Sequence, residues 1–243
     1  YVLVDHIPGS SFIFDRHRNY WMKDPVGLGK GNQLPYLDGV TWLVIKDKST
    51  RIAALRTGKV DVATGGSGVN WEEGLALLED KPELQFSKAL ASQWWALWMR
   101  TDTKPFDDIR VRRALHMSIN FQDITNEYYG GNAESLAFPV APDFATWYTP
   151  IEDLPESTRE LFEYKPEEAK RLLAEAGYED GFEFEVVAQQ QYVDLLTLFG
   201  GFFADIGVDM KIQVKEYGVH TSIATSYSHG DTIASVTGLA YPD

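Results

Sequence analysis

The sequence contains no cysteine, and its 22 basic side chains are outnumbered by 36 acidic ones, which leaves a net charge of −14. Without thiols the chain can form no disulfide, zinc–thiolate site or iron–sulfur cluster, and it can supply no thiol nucleophile. Because a surface that tracks phosphates must be basic, the acidic balance excludes nucleic acid as an expected partner. The same charge would be repelled by an anionic membrane surface.

Long apolar runs are also absent, since no stretch approaches the roughly 20 residues that a membrane-spanning helix needs. No stretch of the given sequence has the pattern of a signal peptide either. The chain opens on Tyr1-Val-Leu-Val, which is typical of the middle of a strand, and stops on Tyr241-Pro-Asp, which is typical of a loop. These ends predict a segment of a longer protein, in which case the missing leader says nothing about targeting.

The first hundred residues are rich in short apolar segments separated by glycine and proline, a pattern that predicts strands and turns. After about residue 100 helical and strand patterns alternate, so we predict a strand-rich domain over residues 1–98 and an α/β domain over residues 99–243. The predicted strands of the first part are residues 1–4, 11–14, 42–45, 60–63, 84–86 and 93–99, and its predicted helices are residues 47–55 and 71–78.

The second part contains the clearest local pattern. Phe182, Phe184 and Val186 alternate as in a half-buried strand, the apolar positions of residues 192–206 recur with helical spacing, and residues 208–214 alternate again. Strand, helix and strand in this order predict a βαβ unit with parallel strands and a right-handed crossover.

Signals for catalysis are weak throughout the chain. No glycine-rich phosphate loop follows a strand, and the five histidines show no paired ligand spacing, so we predict no metal and no cofactor. A hydrolase with two facing carboxylates stays open, because any of the 36 acidic residues could form such a pair. We therefore expect a binding protein, not an enzyme.

Tryptophan is concentrated in residues 93–99, where Trp94 and Trp98 point to one face of the strand and Trp95 to the other. At least one of these rings is expected in the core. Because this strand lies at the predicted domain boundary, and small ligands bind in clefts between domains, we predict that Trp94 or Trp95 faces a ligand.

Four stretches in a fixed order carry a resemblance to a known family, the family 5 extracellular solute-binding proteins of ABC transporters. The group includes dipeptide-, oligopeptide- and nickel-binding proteins. The stretches are Asn19-Tyr-Trp with Leu34-Pro-Tyr-Leu-Asp-Gly-Val, Ile52-Ala-Ala-Leu-Arg-Thr-Gly-Lys-Val-Asp, Pro105-Phe-Asp-Asp-Ile-Arg-Val-Arg-Arg-Ala-Leu, and Tyr164-Lys-Pro-Glu-Glu-Ala-Lys-Arg-Leu-Leu-Ala-Glu-Ala-Gly-Tyr.

The resemblance implies the two-lobe α/β architecture of type II periplasmic binding proteins, with part of lobe one in residues 1–98 and most of lobe two in residues 99–243. It also implies a monomeric protein, periplasmic or anchored to the outside of a membrane, that closes on a small polar solute in an interlobe cleft and delivers it to the permease subunits. An extracytoplasmic sensory domain is the alternative within the same fold.

Two departures from the family pattern bear on the ligand. Where peptide-binding members hold an aspartate for the peptide amino terminus and, three residues earlier, a tryptophan, this chain has Ala240 and Thr237. A desolvated ammonium group would lack its partner there, which argues against a free peptide amino terminus. Arg100 replaces the usual asparagine, and it could meet an anionic ligand or pair with Asp102.

Neutral polar groups complete the predicted ligand face. Gln189, Gln190 and Gln191 follow the 182–187 strand at its carboxyl end, where ligands gather in open α/β sheets. Thr237 and Tyr241 would approach from the neighbouring strand. Amides and hydroxyls over an indole face suit a neutral or weakly charged polar solute, whereas the plainer alternative is a solvated glutamine loop beside core tryptophans. The predicted ligand residues are Trp94, Trp95, Gln189, Gln190, Thr237 and Tyr241.

Overall fold

A computed structural model of the chain describes residues 1–63, 69–87, 93–135, 140, 142, 144 and 146–238, with the backbone alone at 93–94 and 236–238. The chain divides into two units, Tyr1–Ser87 and Lys88–Asp243. The predicted lobe boundary after residue 98 refers to the longer protein and stays a prediction.

The first unit is built on a three-stranded antiparallel sheet with the order β1–β2–β3. The turn between the first two strands closes with the Ser10 N–H donating to the Ile7 carbonyl at 3.0 Å. Gly9 takes a φ of +70° in this turn, a conformation that glycine adopts without a steric penalty. The strands are β1 (Val2–Ile7), β2 (Ser11–Asp15) and β3 (Gly39–Leu43).

Two helices follow in the first unit, close to their predicted positions. Helix α1 (Lys48–Arg56) begins where the Asp47 carboxylate accepts from the Thr50 N–H, and helix α2 (Trp71–Asp80) begins with a capping box. The strands predicted at 60–63 and 84–86 are wrong, because both segments are irregular. Alternating apolar residues form a strand only where another strand accepts their backbone hydrogen bonds, and within residues 1–63 and 69–87 no strand pairs with either segment.

The second unit has a mixed four-stranded sheet with the order β4–β7–β5–β6. The pairs β5–β6 and β5–β7 are parallel, whereas β4, at one edge, is antiparallel to β7. The predicted βαβ pairing is therefore confirmed. The strands are β4 (Gln93–Met99), β5 (Phe182–Ala188), β6 (Val208–Val214) and β7 (Thr232–Gly238).

Helices surround this sheet, and their ends follow the capping signals in the sequence. Asp108 caps helix α3 (Ile109–Met117), because its carboxylate accepts from the Arg110 N–H, and helix α6 (Pro166–Glu175) begins on a proline. The helices of the second unit are α3 (Ile109–Met117), α4 (Phe121–Asp123), α5 (Glu156–Arg159), α6 (Pro166–Glu175), α7 (Val193–Asp205) and α8 (Tyr217–Ser226).

The core of the second unit lies between this sheet and its helices. Phe184 on β5 and Phe203 on α7 are almost fully buried, with ring centroids 6.1 Å apart, so the predicted packing of the crossover helix on the sheet is confirmed. Val186 and Val208 are completely buried beside them. Within the described residues no helix has both the length and the apolar character needed to cross a bilayer.

Candidate functional site

The strand directions bring one end of each of the strands β4, β5 and β7 to the same edge of the second sheet. Because β5 and β7 are parallel and β4 is antiparallel to β7, the carboxyl ends of β5 and β7 lie at the same edge as the start of β4. We call this the carboxyl edge, and its residues are 93–95, 189–191 and 236–238. In the β4–β7 register Trp94 is the backbone partner of Thr237, and Trp95 is the partner of Val236.

Five of the six predicted ligand residues thus lie at the carboxyl edge. These five are Trp94 and Trp95 on β4, Thr237 on β7, and Gln189 and Gln190, which follow β5 directly. The structure describes only the backbone of Trp94 and Thr237, and Tyr241 lies outside the described residues.

Gln189 is the most constrained of the predicted residues. Its side chain is half-buried, and its Nε2 lies 3.2 Å from Nδ1 of His220, on helix α8. Its Oε1 accepts from Nε2 of Gln191 at 3.2 Å. His220 itself is 2% exposed, and its Nε2 lies 2.9 Å from the Ala234 carbonyl oxygen on β7. The amide of Gln189 is therefore held on two sides.

Gln190 and Gln191 begin a single 3₁₀ turn, Gln190–Tyr192, that leads from β5 into α7. Both side chains are exposed to solvent. The turn thus presents neutral donors and acceptors at the carboxyl edge, which is the chemistry expected of groups that orient a polar solute.

Trp95 is half-buried and packs against the core cluster of the second unit. Its ring stands edge-on to Tyr192, with centroids 3.9 Å apart and planes at 90°. Tyr129 packs against the same core cluster, and burial raises the pKa of its hydroxyl. Because Trp95 is half-buried against Tyr192, any solute contact with Trp95 would be made by the part of its ring that remains exposed.

Arg100 lies at the other end of β4, after Met99, whose backbone partner is Thr232 at the start of β7. Its Nε and Nη2 donate to the two carboxylate oxygens of Asp102, each at 2.7 Å. These bonds lower the pKa of Asp102 to about 2. The local ion pair is confirmed, and it places Arg100 away from the carboxyl edge.

The remaining histidines of the second unit show no arrangement for a metal. His116 packs against the rings of Phe121 and Phe162, and burial lowers its pKa. Burial likewise lowers the pKa of His229. In the part of the chain that the structure describes, no three His, Asp or Glu side chains are grouped so that they could hold a metal ion.

The second unit also has an open concavity of about 400 Å³, lined among others by Gln122, Arg159 and Glu163. None of the predicted ligand residues that the structure describes lines it. Gln122 is exposed, as Gln190 is, but it lies outside the carboxyl edge. It therefore offers a comparison for the predicted ligand residues.

Sequence reasoning missed His220, Tyr192 and Tyr129 as neighbours of the predicted residues. His220 is a lone histidine without the spacing of a metal-ligand pair. Tyr192 and Tyr129 lie in segments of the chain that are far from Trp95 in sequence. The one local signal was that Tyr192 directly follows three glutamines at the end of a predicted strand. Its contact with Trp95 depends on how β4 and β5 lie in the sheet.

Comparison with solved structures defines the class of protein: an α/β fold of the type II periplasmic binding proteins. The ABC transporter-associated periplasmic binding protein DppA from Helicobacter pylori, in complex with the peptide STSA, matches with a TM-score of 0.74 and 25% identity. That match covers 98% of this chain and 42% of the H. pylori chain.

The sequence matches the family model "Bacterial extracellular solute-binding proteins, family 5 Middle" over residues 1–241, and the chain belongs to that family. Heme-binding protein A of Haemophilus influenzae is 30% identical over 183 residues, covering 75% of this chain and 29% of the relative. Glutathione-binding protein GsiB of Salmonella typhimurium is 30% identical over 191 residues, covering 76% and 34%. The chain thus spans about a third of the length of these curated relatives.

Proposed function

We propose that the chain is the ligand-capturing part of a solute-binding protein of an ABC importer. In this role it takes up a small polar solute outside the cytoplasm, in the periplasm or anchored to the membrane, and passes it to the permease subunits. Family membership supports the role, and the relatives named for heme, glutathione and peptide are all binding proteins. The protein would act as a monomer and release its solute chemically unchanged.

The solute site proposed here is the carboxyl edge of the second sheet. The observation that carries it is the β4–β7 register, which sets Trp94 opposite Thr237 at the edge where Gln189 leaves β5. Ligands of open α/β sheets bind outside the carboxyl ends of the strands, and this edge combines indole with amide and hydroxyl groups.

The chemistry of these side chains favours a neutral or weakly charged polar solute. Amides and hydroxyls donate and accept hydrogen bonds without charge, and indole provides a flat apolar surface. At the positions that the family resemblance assigns to the clamp for a peptide amino terminus, the chain has Thr237 and Ala240. A solute whose recognition depends on a free α-ammonium group would lose its charge partner there.

The first experiment identifies the solute. Full-length protein is purified without denaturation, and mass spectrometry is used to detect any small molecule that it releases on unfolding. In parallel, hemin, reduced glutathione and the peptide STSA are titrated into ligand-free protein by calorimetry. A polar solute bound at one site per protein is the expected result, whereas turnover of the bound molecule would contradict the proposed role.

The second experiment tests the location with matched glutamine variants. Gln190→Ala should weaken binding of that solute about tenfold, the effect of losing one hydrogen bond, and leave the melting temperature nearly unchanged because the side chain is exposed. Trp95→Ala should weaken binding and also lower the melting temperature. Gln122→Ala, in the separate concavity, is the control and should do neither. Parental affinity in both Gln190→Ala and Trp95→Ala would contradict the proposed site.

A further inference from the structure

The buried histidine beside the carboxyl edge has a partner at each ring nitrogen. His220 is 2% exposed, with Nε2 2.9 Å from the Ala234 carbonyl oxygen and Nδ1 3.2 Å from Nε2 of Gln189. One partner belongs to β7 and the other follows β5, so the ring joins helix α8 to two neighbouring strands. No cofactor, metal or catalytic step is needed to explain this placement.

The partners determine which nitrogen of the neutral ring carries the proton. A carbonyl oxygen can only accept, so the contact with Ala234 requires a proton on Nε2. In a neutral imidazole the other nitrogen is then an acceptor. Nδ1 of His220 must therefore accept from Gln189, which fixes the amide nitrogen of Gln189 towards the histidine.

A second contact fixes the same orientation from the outside. Gln191, which is exposed, donates from its Nε2 to Oε1 of Gln189 at 3.2 Å. The carboxamide of Gln189 thus has its nitrogen on the buried side and its oxygen on the exposed side. A carbonyl oxygen has two lone pairs, so one acceptor position remains after the bond from Gln191.

We propose that His220 is a positioning residue that holds Gln189 with its oxygen outward, so that Gln189 accepts a hydrogen bond from an N–H or O–H group of the solute. The solute part rests on the proposed function, whereas the orientation of the amide does not. A carboxylate or other pure acceptor is disfavoured at this point of the site, because two acceptors would face each other.

Two substitutions of His220 separate its two hydrogen bonds. In His220→Asn the amide oxygen can occupy the position of Nδ1 and accept from Gln189, but the bond to Ala234 is lost. In His220→Gln the longer side chain can place its nitrogen near the position of Nε2 and donate to Ala234, but the acceptor for Gln189 is lost. Each variant loses one buried hydrogen bond, so both should have lower melting temperatures than the parent, by similar amounts.

The first readout needs no solute. Nitrogen-15 NMR of the full-length protein at neutral pH should show His220 protonated at Nε2 and unprotonated at Nδ1. Hydrogen exchange of the Gln189 side-chain amide should accelerate about tenfold in His220→Gln and stay near the parental rate in His220→Asn. An Nδ1-protonated ring, or equal exchange rates in the two variants, would overturn the positioning role.

The second readout uses calorimetric titration of the same variants with hemin, reduced glutathione and STSA. His220→Gln should weaken binding of whichever probe the parent binds by about tenfold, as Gln189→Ala should, while His220→Asn stays within about threefold of the parent. Equal affinities in all four proteins would overturn the acceptor role even if the NMR result holds. If none of the three probes binds the parent, the titrations are made with the solute that mass spectrometry identifies. If mass spectrometry finds no solute either, the proposed function fails, whereas the NMR result still decides whether His220 orients Gln189.

Discussion

The two units of the chain differ sharply in how much apolar surface they bury. Among the described residues of the first unit, Ala54 and Leu77 are the buried apolar side chains, while Leu3 is 52% and Trp42 64% exposed on its sheet. The second unit encloses Phe106, Phe184 and many other apolar side chains in one continuous core. The first unit thus takes much less of its stability from its own core than the second does.

Topology explains this difference. The first sheet has three antiparallel strands, and such a sheet needs a covering layer on its apolar face to be stable alone. The parallel strands of the second sheet are connected through helix α7, which packs on the sheet that it crosses. A parallel connection brings its own covering layer, whereas hairpins do not.

The largest effect on stability is expected when one aromatic residue of each sheet is replaced by alanine, and the two losses test this contrast. Phe184→Ala should destabilise the second unit by about 3–5 kcal/mol, because it leaves a cavity in a closed core. Trp42→Ala, at an exposed position, should cost less than about 1 kcal/mol. Urea unfolding of the 243-residue chain measures both, and equal losses would contradict the contrast between the units.

Glycine substitutions sharpen the comparison. Gly181 and Gly9 both have positive φ, but a Cβ on Gly181 would lie 1.8 Å from the Gly207 carbonyl oxygen, whereas a Cβ on Gly9 meets nothing within 4 Å. Gly9→Ala should therefore cost about 1 kcal/mol from backbone conformation alone, and Gly181→Ala about 2–4 kcal/mol because the backbone must also shift. The unfolding midpoints give both values. A larger loss for Gly9→Ala would show that the close approach of the two glycines is not maintained.

Asp108 and Asp47 each cap a helix, and their contributions to stability should differ in how strongly they are lost in acid. Hydrogen bonds from the Arg110 guanidinium hold the pKa of Asp108 at about 2, and Thr50 lowers the pKa of Asp47 in the first unit. A carboxyl with a lowered folded-state pKa stabilises the protein above its ordinary pKa, and this contribution is lost as the pH falls through the folded value.

Asp108→Asn should therefore reduce the loss of melting temperature on acidification from about pH 4 to about pH 2. Asp47→Asn should change it less, because a hydroxyl is a weaker donor to a carboxylate than a guanidinium. Melting curves across this range measure the difference, and high salt should diminish it. An unchanged acid profile in Asp108→Asn would show that this ion pair contributes nothing to the fold.

The smallest expected effects come from exposed ion pairs. Lys170 and Glu167 lie 3.0 Å apart on the surface of α6, and Lys170→Ala should change stability by less than about 0.5 kcal/mol. Lys48 and Glu73 lie 2.9 Å apart and link α1 to α2, so Lys48→Ala should cost up to about 1 kcal/mol. Unfolding in urea compares the two variants. A greater loss for Lys170→Ala would reverse the expected order.

Local patterns in the sequence were sufficient for much of the fold. The alternation of Phe182 and Phe184, the helical spacing of residues 192–206 and the caps of α1 and α3 each depend on neighbours within a few residues. The family motifs likewise lie in short continuous stretches, and the family model confirms the membership that they imply. The segments 60–63 and 84–86 show the limit, because alternation alone supplies no partner strand.

The candidate site shows the opposite balance. The sequence by itself placed glutamines after β5 and tryptophans in β4, but only the tertiary structure decided that Trp94 lies opposite Thr237 and that Gln189 meets His220, 31 residues further along. These meetings depend on strand order and register, which are set by hydrogen bonds and packing between distant segments. Residue type and periodicity act over a few positions, so they predict elements and their exposed faces, whereas the partners of a buried side chain are decided when the sheet and its helices assemble.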